Sequence, residues 1–489
     1  MANDHLRNLD RRIDPRRRSV LLSACAAPLL SMPAWPGHAT TSATESLSGA
    51  LRERLQRDGV GFASAQLDRS GLRLDVAGAK RHGASEPITT STVFELGSLT
   101  KAFVALLLAD GVLKGRWSLD DAVEDAVPEL IRLRDSSGQP LRLIDLATHR
   151  SGLPRMPGDL LNNEIKDPYA FYTEQRLYQY LRSWRPVVAR GARFEYSNLG
   201  YGLLALVLAR RLGLSLDEAL RRDVLLPLGL PELRLARPLP VGDDLSTIGA
   251  ALAGTFAEAP LLAAPHDGQR RPALPWRFDA LAGAVGLLGS IESVGRFMQA
   301  AVGAFDHPLR DAFAMCLQQR TEGEHPLHPF GFGWEISTIV AADGRRRQFF
   351  NQDGATSGFS VSVWLEPATQ RAGAVLSNAF IETRSLALRA LDAGISERDF
   401  NLVALPETTL QQLAGKWVAR RNASLQIMLR DGRLWAQGFV AGDVELVAVT
   451  KRRLVMRDSG IEFLFDDAEL PQQMTMRRDG VDLPFQRQS

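Results

Sequence analysis

The stretch "FELGSLTKAFVALLLADG" (residues 94–111) constrains the fold more than any other part of the chain. From Ala102 to Ala109 it offers no polar face, so as a helix it has to be buried on all sides. Lys101 stands at the head of this run. An ammonium carried into a core loses its hydration, a cost that only partners or deprotonation offset. Only six of the 58 basic residues are lysines, so arginine is the default cation of this chain. Arginine does not deprotonate in proteins and cannot serve as a base. A lysine kept at the mouth of a buried helix therefore points to proton transfer.

Ser98 precedes Lys101 by three residues, which places both on one helix face. A neutral lysine can take a serine proton, and burial moves the lysine toward neutrality. A serine that opens a helix also faces backbone N–H donors and the positive dipole end, both suited to a developing oxyanion. Helix capping with a snorkelling lysine is the bland alternative for an isolated S-x-x-K. A second element supports the catalytic reading. Tyr196-Ser197-Asn198 is the only Y-x-N among six tyrosines, and it sits at a turn leading into another apolar helix.

The chain has 489 residues, too many for one ordinary core, so two or three domains are expected. With 45% hydrophobic and 23% charged residues it reads as a soluble globular protein. A formal charge of +2 gives no electrostatic case for nucleic acid. Residues 1–39 carry six arginines against three aspartates, then an apolar stretch from Val20 to Leu30 and a small-residue end at Ala39. This is the pattern of a removable signal peptide, too short for an ordinary transmembrane helix. Arg17 and Arg18 before Ser19-Val20-Leu21 resemble a twin-arginine export signal. A Sec signal is the alternative, and Leu22-Ser23-Ala24-Cys25 resembles a lipobox, which would make a lipoprotein. Cleavage at Ala39 leaves Cys316 as the one cysteine, so the mature chain has no disulfide or cysteine-based zinc site. The expected location is periplasmic or secreted.

"GFASAQLDRSGLRLDVAG" alternates around Asp68-Arg69-Ser70-Gly71 and reads as a hairpin. From Ser98 to about Arg320 the pattern is mainly helical, and strand signals return at "FGFGWEISTIV", "GFSVSVWLEP" and "RAGAVLSNA". The two strand-rich ends can join in one antiparallel sheet that brackets the helical middle. From Leu405 short strands alternate with turns such as Arg430-Asp431-Gly432 and Arg478-Asp479-Gly480, which predicts a separate small β-barrel or sandwich. The expected organisation is a signal peptide over 1–39, a linker over 40–48, a hydrolase domain over 49–395 and a C-terminal β module over 405–489.

Taken together, "VFELGSLTK", "LIDLATHRSGLP", "EYSNLGYGLL" and "LLPLGL" resemble, in order, the landmarks of the serine β-lactamase and penicillin-binding-protein superfamily, specifically its class C branch. "QDGATSGF" (352–359) is similar to that branch's Lys/His-x-Gly strand. The resemblance covers about residues 48–390, and the tail resembles the lipocalin-like module that follows some of these hydrolases. It implies an α+β fold, with an antiparallel sheet flanked by helices, a helical subdomain and a small C-terminal all-β barrel. It also implies an acyl-enzyme on Ser98, with Lys101 as base or proton relay. Tyr196 would exchange the proton with leaving group and water, and Asn198 would orient substrate and lysine. The backbone N–H groups of Ser98 and Ala355 would form the oxyanion hole, and Gln352, Gly354 and Thr356 would bind substrate. No metal or organic cofactor is implied.

Gln352 departs from the pattern, because glutamine carries no charge for a substrate carboxylate. Arg345-Arg346-Arg347 read as a solvated strand edge, or else as the source of the missing charge. His149 reads as structural or pocket-lining, and His325 and His328 as loop residues. Asp120-Asp121 read as a helix start. No serine carries glycines at both −2 and +2, and no H-E-x-x-H occurs, so neither the α/β-hydrolase elbow nor that zinc motif is present. The expected substrate is a small-molecule or peptidoglycan-type acyl compound: a β-lactam, a D-amino-acid peptide or an ester. A catalytically weak homologue that binds cell-wall fragments or a protein partner is the alternative from another class.

Overall fold

Burial of the run after Lys101 organises the molecule. The computed structural model describes residues 43–127, 133–160, 167, 169, 170, 172–236, 261–322, 329–340, 346–393, 403–419, 424–437, 443–456, 461–478 and 481–488. The expected signal peptide with Cys25, and also His325, His328 and Arg345, lie outside these residues.

The first helix, α1, spans Ala43–Arg57 and begins inside the span read as linker. Leu47 and Leu51, one turn apart, are both buried and hold it against Phe62 and Trp364. Strands β1 (Gly61–Asp68) and β2 (Gly71–Gly78) form the expected hairpin, with Asp68 paired to Gly71 across its turn. Asp68 Oδ1 accepts the Ser70 N–H there, a local bond that favours the turn. Strand β3 (Val93–Glu95) leads into a 3-10 turn, Gly97–Leu99, and then α2, Thr100–Leu113. Every residue of α2 from Thr100 to Gly111 is buried, as its uniform apolarity requires.

Strands β4 (Arg234–Leu235) and β5 (Leu287–Ser290) complete a small sheet with β3. The main sheet is antiparallel and adds β6 (Glu335–Val340), β7 (Arg346–Ala355), β8 (Ser360–Glu366) and β9 (Arg371–Ser377) in the order β2-β1-β9-β8-β7-β6. The N-terminal hairpin thus pairs with the last strand, Phe62 opposite Ser377. Both faces of the sheet are covered. On β8, Val361, Val363 and Leu365 face the large core around α2, while Trp364 faces the layer of α1 and the helix Arg384–Leu391.

Eight further strands between Gly415 and Gln488 make a closed antiparallel barrel in sequential order, with Trp417 paired to Arg487 where the last strand meets the first. In the Arg430-to-Arg433 hairpin, Asp431 and Gly432 both have positive φ (51° and 72°). That is the two-residue turn whose twist suits a β-hairpin. Arg57 reaches Glu445 of the barrel at 3.5 Å. No single helix among the described residues is long and apolar enough to cross a membrane.

Candidate active site

Two apolar helices and one strand bring the predicted residues together. Ser98 lies in the 3-10 turn before α2, half-buried. Thr100 ties this turn down: its hydroxyl donates to Gly97 O (2.7 Å) and accepts the Leu287 N–H (3.0 Å). Gly97 has φ +51°, and a Cβ there would sit 2.6 Å from Ala355 N. Gly354 is equally constrained, since a Cβ would meet Leu96 O at 2.2 Å. The two glycines allow β7 to run against the nucleophile turn, which sets the Ala355 amide beside it.

Lys101 is fully buried, and its Nζ lies 2.9 Å from Ser98 Oγ, 2.8 Å from Asn198 Oδ1 and 3.0 Å from Ala284 O. No carboxylate pairs with it among the described residues. Burial holds its pKa well below the ordinary lysine range, and the Arg155 charge pushes the same way. A neutral amine has two N–H donors and one lone pair. The carbonyl oxygens of Asn198 and Ala284 can only accept, so they take both donors. The lone pair is left facing the one partner that can donate, the Ser98 hydroxyl. In its neutral form the amine can therefore accept from Ser98.

Asn198 is presented by the helix Asn198–Leu212, whose N-cap Ser197 accepts the Gly200 N–H at 2.8 Å. Tyr196 precedes that cap. Its hydroxyl bonds Ser98 and accepts from Gln352 Nε2 at 3.2 Å, while its ring lies 4.8 Å from Lys101 Nζ. Burial raises the Tyr196 pKa above that of an ordinary phenol, so the hydroxyl keeps its proton at neutral pH. Gln352, Tyr196, Ser98 and Lys101 are thus joined by consecutive hydrogen bonds, with the Gln352 N–H donating to the Tyr196 hydroxyl.

His149 has a more specific part than pocket lining. Its carbonyl accepts the Glu195 N–H (2.8 Å) and its Nδ1 accepts the Ser197 N–H (3.0 Å), which brackets Tyr196 on both sides. The imidazole also packs 4.5 Å from the Tyr196 ring, centroid to centroid. Burial, with the Arg155 charge acting in the same sense, holds His149 neutral. With Nδ1 accepting, the proton sits on Nε2.

Gln352 and Gly354, expected to bind substrate, lie against the Ser98 turn. Gln352 and Gly354 share one face of β7, that face packs inward, and Thr356 just beyond the strand is buried too. Gln352 is only 4% exposed, and its amide nitrogen is shared among Ser98 O, Tyr196 Oη and Asp353 O at 3.1–3.2 Å. Two N–H groups serve three acceptors, which leaves no donor to turn outward. Thr356 is 1% exposed and lies beside Glu95, which sequence reasoning missed. Burial pushes Glu95 up to about 8, opposed by Thr356 and by the Trp276 N–H that Oε1 accepts at 2.7 Å. Asp167 nearby is pushed up to about 6 by burial as well.

Arg347 does not supply the charge absent at Gln352. It is locked to Glu366 through two bonds of 2.7 Å and to Asp392 through a third. Asp120 and Asp121 pair with Arg142 and Arg211. Among the described residues no group of three or more His, Cys, Asp or Glu is arranged to hold a metal ion.

The Beta-lactamase family model matches residues 48–394. A β-lactamase of Providencia stuartii is 32% identical over 145 residues, 29% of this chain and 34% of that protein. The D-alanyl-D-alanine-carboxypeptidase/endopeptidase AmpH of Escherichia coli K12 is 28% identical over 226 residues, 44% of this chain and 57% of that protein. The match thus spans between a third and just over half of these curated relatives. Among solved structures, a class C β-lactamase has a TM-score of 0.58 at 21% identity, covering 73% of this chain and 96% of its own. The octameric penicillin-binding protein homologue from Pyrococcus abyssi has a TM-score of 0.62 at 17% identity, covering 91% of this chain and 100% of its own. At these identities the likeness to solved structures is one of fold.

Proposed function

Because this chain belongs to the β-lactamase family, we propose that it is a serine hydrolase that cleaves an ester, amide or β-lactam through an acyl-enzyme on Ser98. The observation that supports this reading is the set of partners around buried Lys101, whose Nζ lies 2.9 Å from Ser98 Oγ while Asn198 Oδ1 and Ala284 O offer acceptors for its N–H groups. Ser98 Oγ attacks the substrate carbonyl carbon while its proton passes to Lys101. The oxygen that gains charge rests on the Ser98 and Ala355 N–H groups. Tyr196, still protonated, gives its proton to the leaving group and recovers one from the lysine ammonium. Water then enters, losing its proton along the same path in reverse, and the acid is released. Gln352 fixes the Tyr196 hydroxyl, and His149 holds its backbone.

The substrate class drawn from the resemblance is a β-lactam, a peptidoglycan-type D-amino-acid peptide or a small ester. Residues 1–39 are proposed to direct export. Release of an aryl alcohol from an activated ester by the full chain tests the activity, with Ser98→Ala as control. Hydrolysis that depends on Ser98 supports the enzyme; wild-type rates in the variant would remove Ser98 from the role. No hydrolysis, together with saturable binding of cell-wall fragments, would establish the binding module instead.

A further inference from the structure

The group that reads an anionic substrate in this site is absent from position 352, yet a cation stands at the mouth. Arg155 follows the Ser151-Gly152-Leu153-Pro154 turn and is exposed. Its guanidinium stacks on the Tyr196 ring, 5.1 Å from the centroid. Among the described residues it makes no hydrogen bond and no ion pair. By contrast, Arg142, Arg347 and Arg384 each hold two carboxylates. Its backbone is fixed as well, since Arg155 O accepts the Asn198 N–H at 2.9 Å. The side chain therefore projects from a backbone that also holds Asn198, and it lies over the ring of Tyr196. Its charge is already felt by Lys101, His149 and Tyr196.

We propose that Arg155 is the specificity residue that binds an anionic group, a carboxylate by preference, on the acyl substrate held at Ser98. The geometry fits a planar fork whose N–H edges stay open because only its face is engaged by the tyrosine. Gln352 has no free donor for such a group. Arg347 is committed to two carboxylates. Stacking on Tyr196 restricts the guanidinium before substrate arrives, so less ordering remains when the anion binds.

The inference rests on the serine hydrolase reading, and its test separates the two. Two pairs of aryl esters serve as probes. One pair differs by a carboxylate against its methyl ester at the end of the acyl chain, the other by the same change on the leaving group. Their kcat/KM values are measured for the wild type, Arg155→Gln and Arg155→Lys. In parallel, equilibrium binding of the corresponding unreactive amides is measured in Ser98→Ala, with and without Arg155→Gln. For at least one pair the anionic-to-neutral ratio should fall about tenfold in Arg155→Gln, with partial recovery in Arg155→Lys. The preference should also shrink at about 0.5 M salt, because the residue is exposed. An equal fall for both members of both pairs would assign Arg155 to tuning Lys101 alone and overturn the proposal. Absence of any anion preference in the binding experiment would overturn it too. If binding shows the preference while no ester is turned over, the anion site stands and the hydrolase reading falls.

Discussion

The region around Ser98 and the C-terminal barrel bury very different material. Around the nucleophile, Lys101, Glu95, His149, Asn198, Gln352, Thr356 and Asp167 are all nearly inaccessible. Inside the barrel the buried side chains are Trp417, Leu425, Ile427, Leu434, Phe463, Met474, Phe485 and similar apolar groups, and among the described strand residues no polar or charged one joins them. The barrel is what hydrophobic burial and strand alternation produce without a further task. The Ser98 region departs from that rule at many adjacent positions, and each departure costs desolvation. Three of these groups, Lys101, Asn198 and Gln352, meet in one hydrogen-bonded set with Ser98 and Tyr196. The contrast separates residues that burial alone explains from residues whose burial calls for another task, which is here proposed to be chemistry.

The largest expected effect lies at Lys101. Lys101→Arg puts a permanently protonated group where burial favours the neutral amine and so removes the base; acylation by an activated ester should fall about a thousandfold, within the usual span of general-base catalysis. In the wild type the rate should rise with pH as Lys101 loses its proton, with a midpoint well below that of an ordinary lysine. A loss of tenfold or less, or a midpoint near 10.5, would make Lys101 a structural cation and erase the contrast. In the barrel the opposite split is expected. Trp417→Ala should destabilise by about 3–5 kcal/mol in denaturant unfolding while leaving kcat/KM unaffected. A matching loss of activity would tie the barrel to the site.

A smaller effect should appear at Glu95, where burial stabilises the protonated form. The folded state holds a proton that the unfolded chain gives up near 4.5, so stability should fall as pH rises from about 4.5 to 8. One such group contributes at most about 1.4 kcal/mol per pH unit. Asp167 adds to the lower part of that window, because its rise ends at about 6. Glu95→Gln should flatten the fall in urea midpoints measured at pH 5, 6.5 and 8. Equal slopes in both proteins would mean that Glu95 is ionised in the fold.

Ser98, Lys101, Tyr196 and Asn198 were legible because their signals are local: a three-residue spacing, a rare lysine, one Y-x-N. The main sheet and the barrel were legible from alternation and from turn residues such as Asp431-Gly432. What the sequence withheld depends on chain path. The Ala284 carbonyl beside Lys101 is a backbone group with no residue-type signal. Arg155 and His149 matter through their closeness to Tyr196, which a loop route decides. Gln352, Gly354 and Thr356 were read as binding substrate. The period-2 spacing of Gln352 and Gly354 puts both on one strand face, which closes on the nucleophile turn, and Thr356 just beyond the strand lies beside Glu95. The span taken as linker begins a helix because Leu47 and Leu51 find apolar partners far along the chain.

The central claim is that Ser98 becomes acylated. Intact mass of the full chain, quenched at intervals after mixing with a penicillin or an activated ester, tests it most directly. One acyl group should be gained on the peptide carrying Ser98, with its lifetime set by deacylation, and none in Ser98→Ala. An adduct that survives in Ser98→Ala, or hydrolysis that proceeds with no adduct at the earliest times, would contradict it.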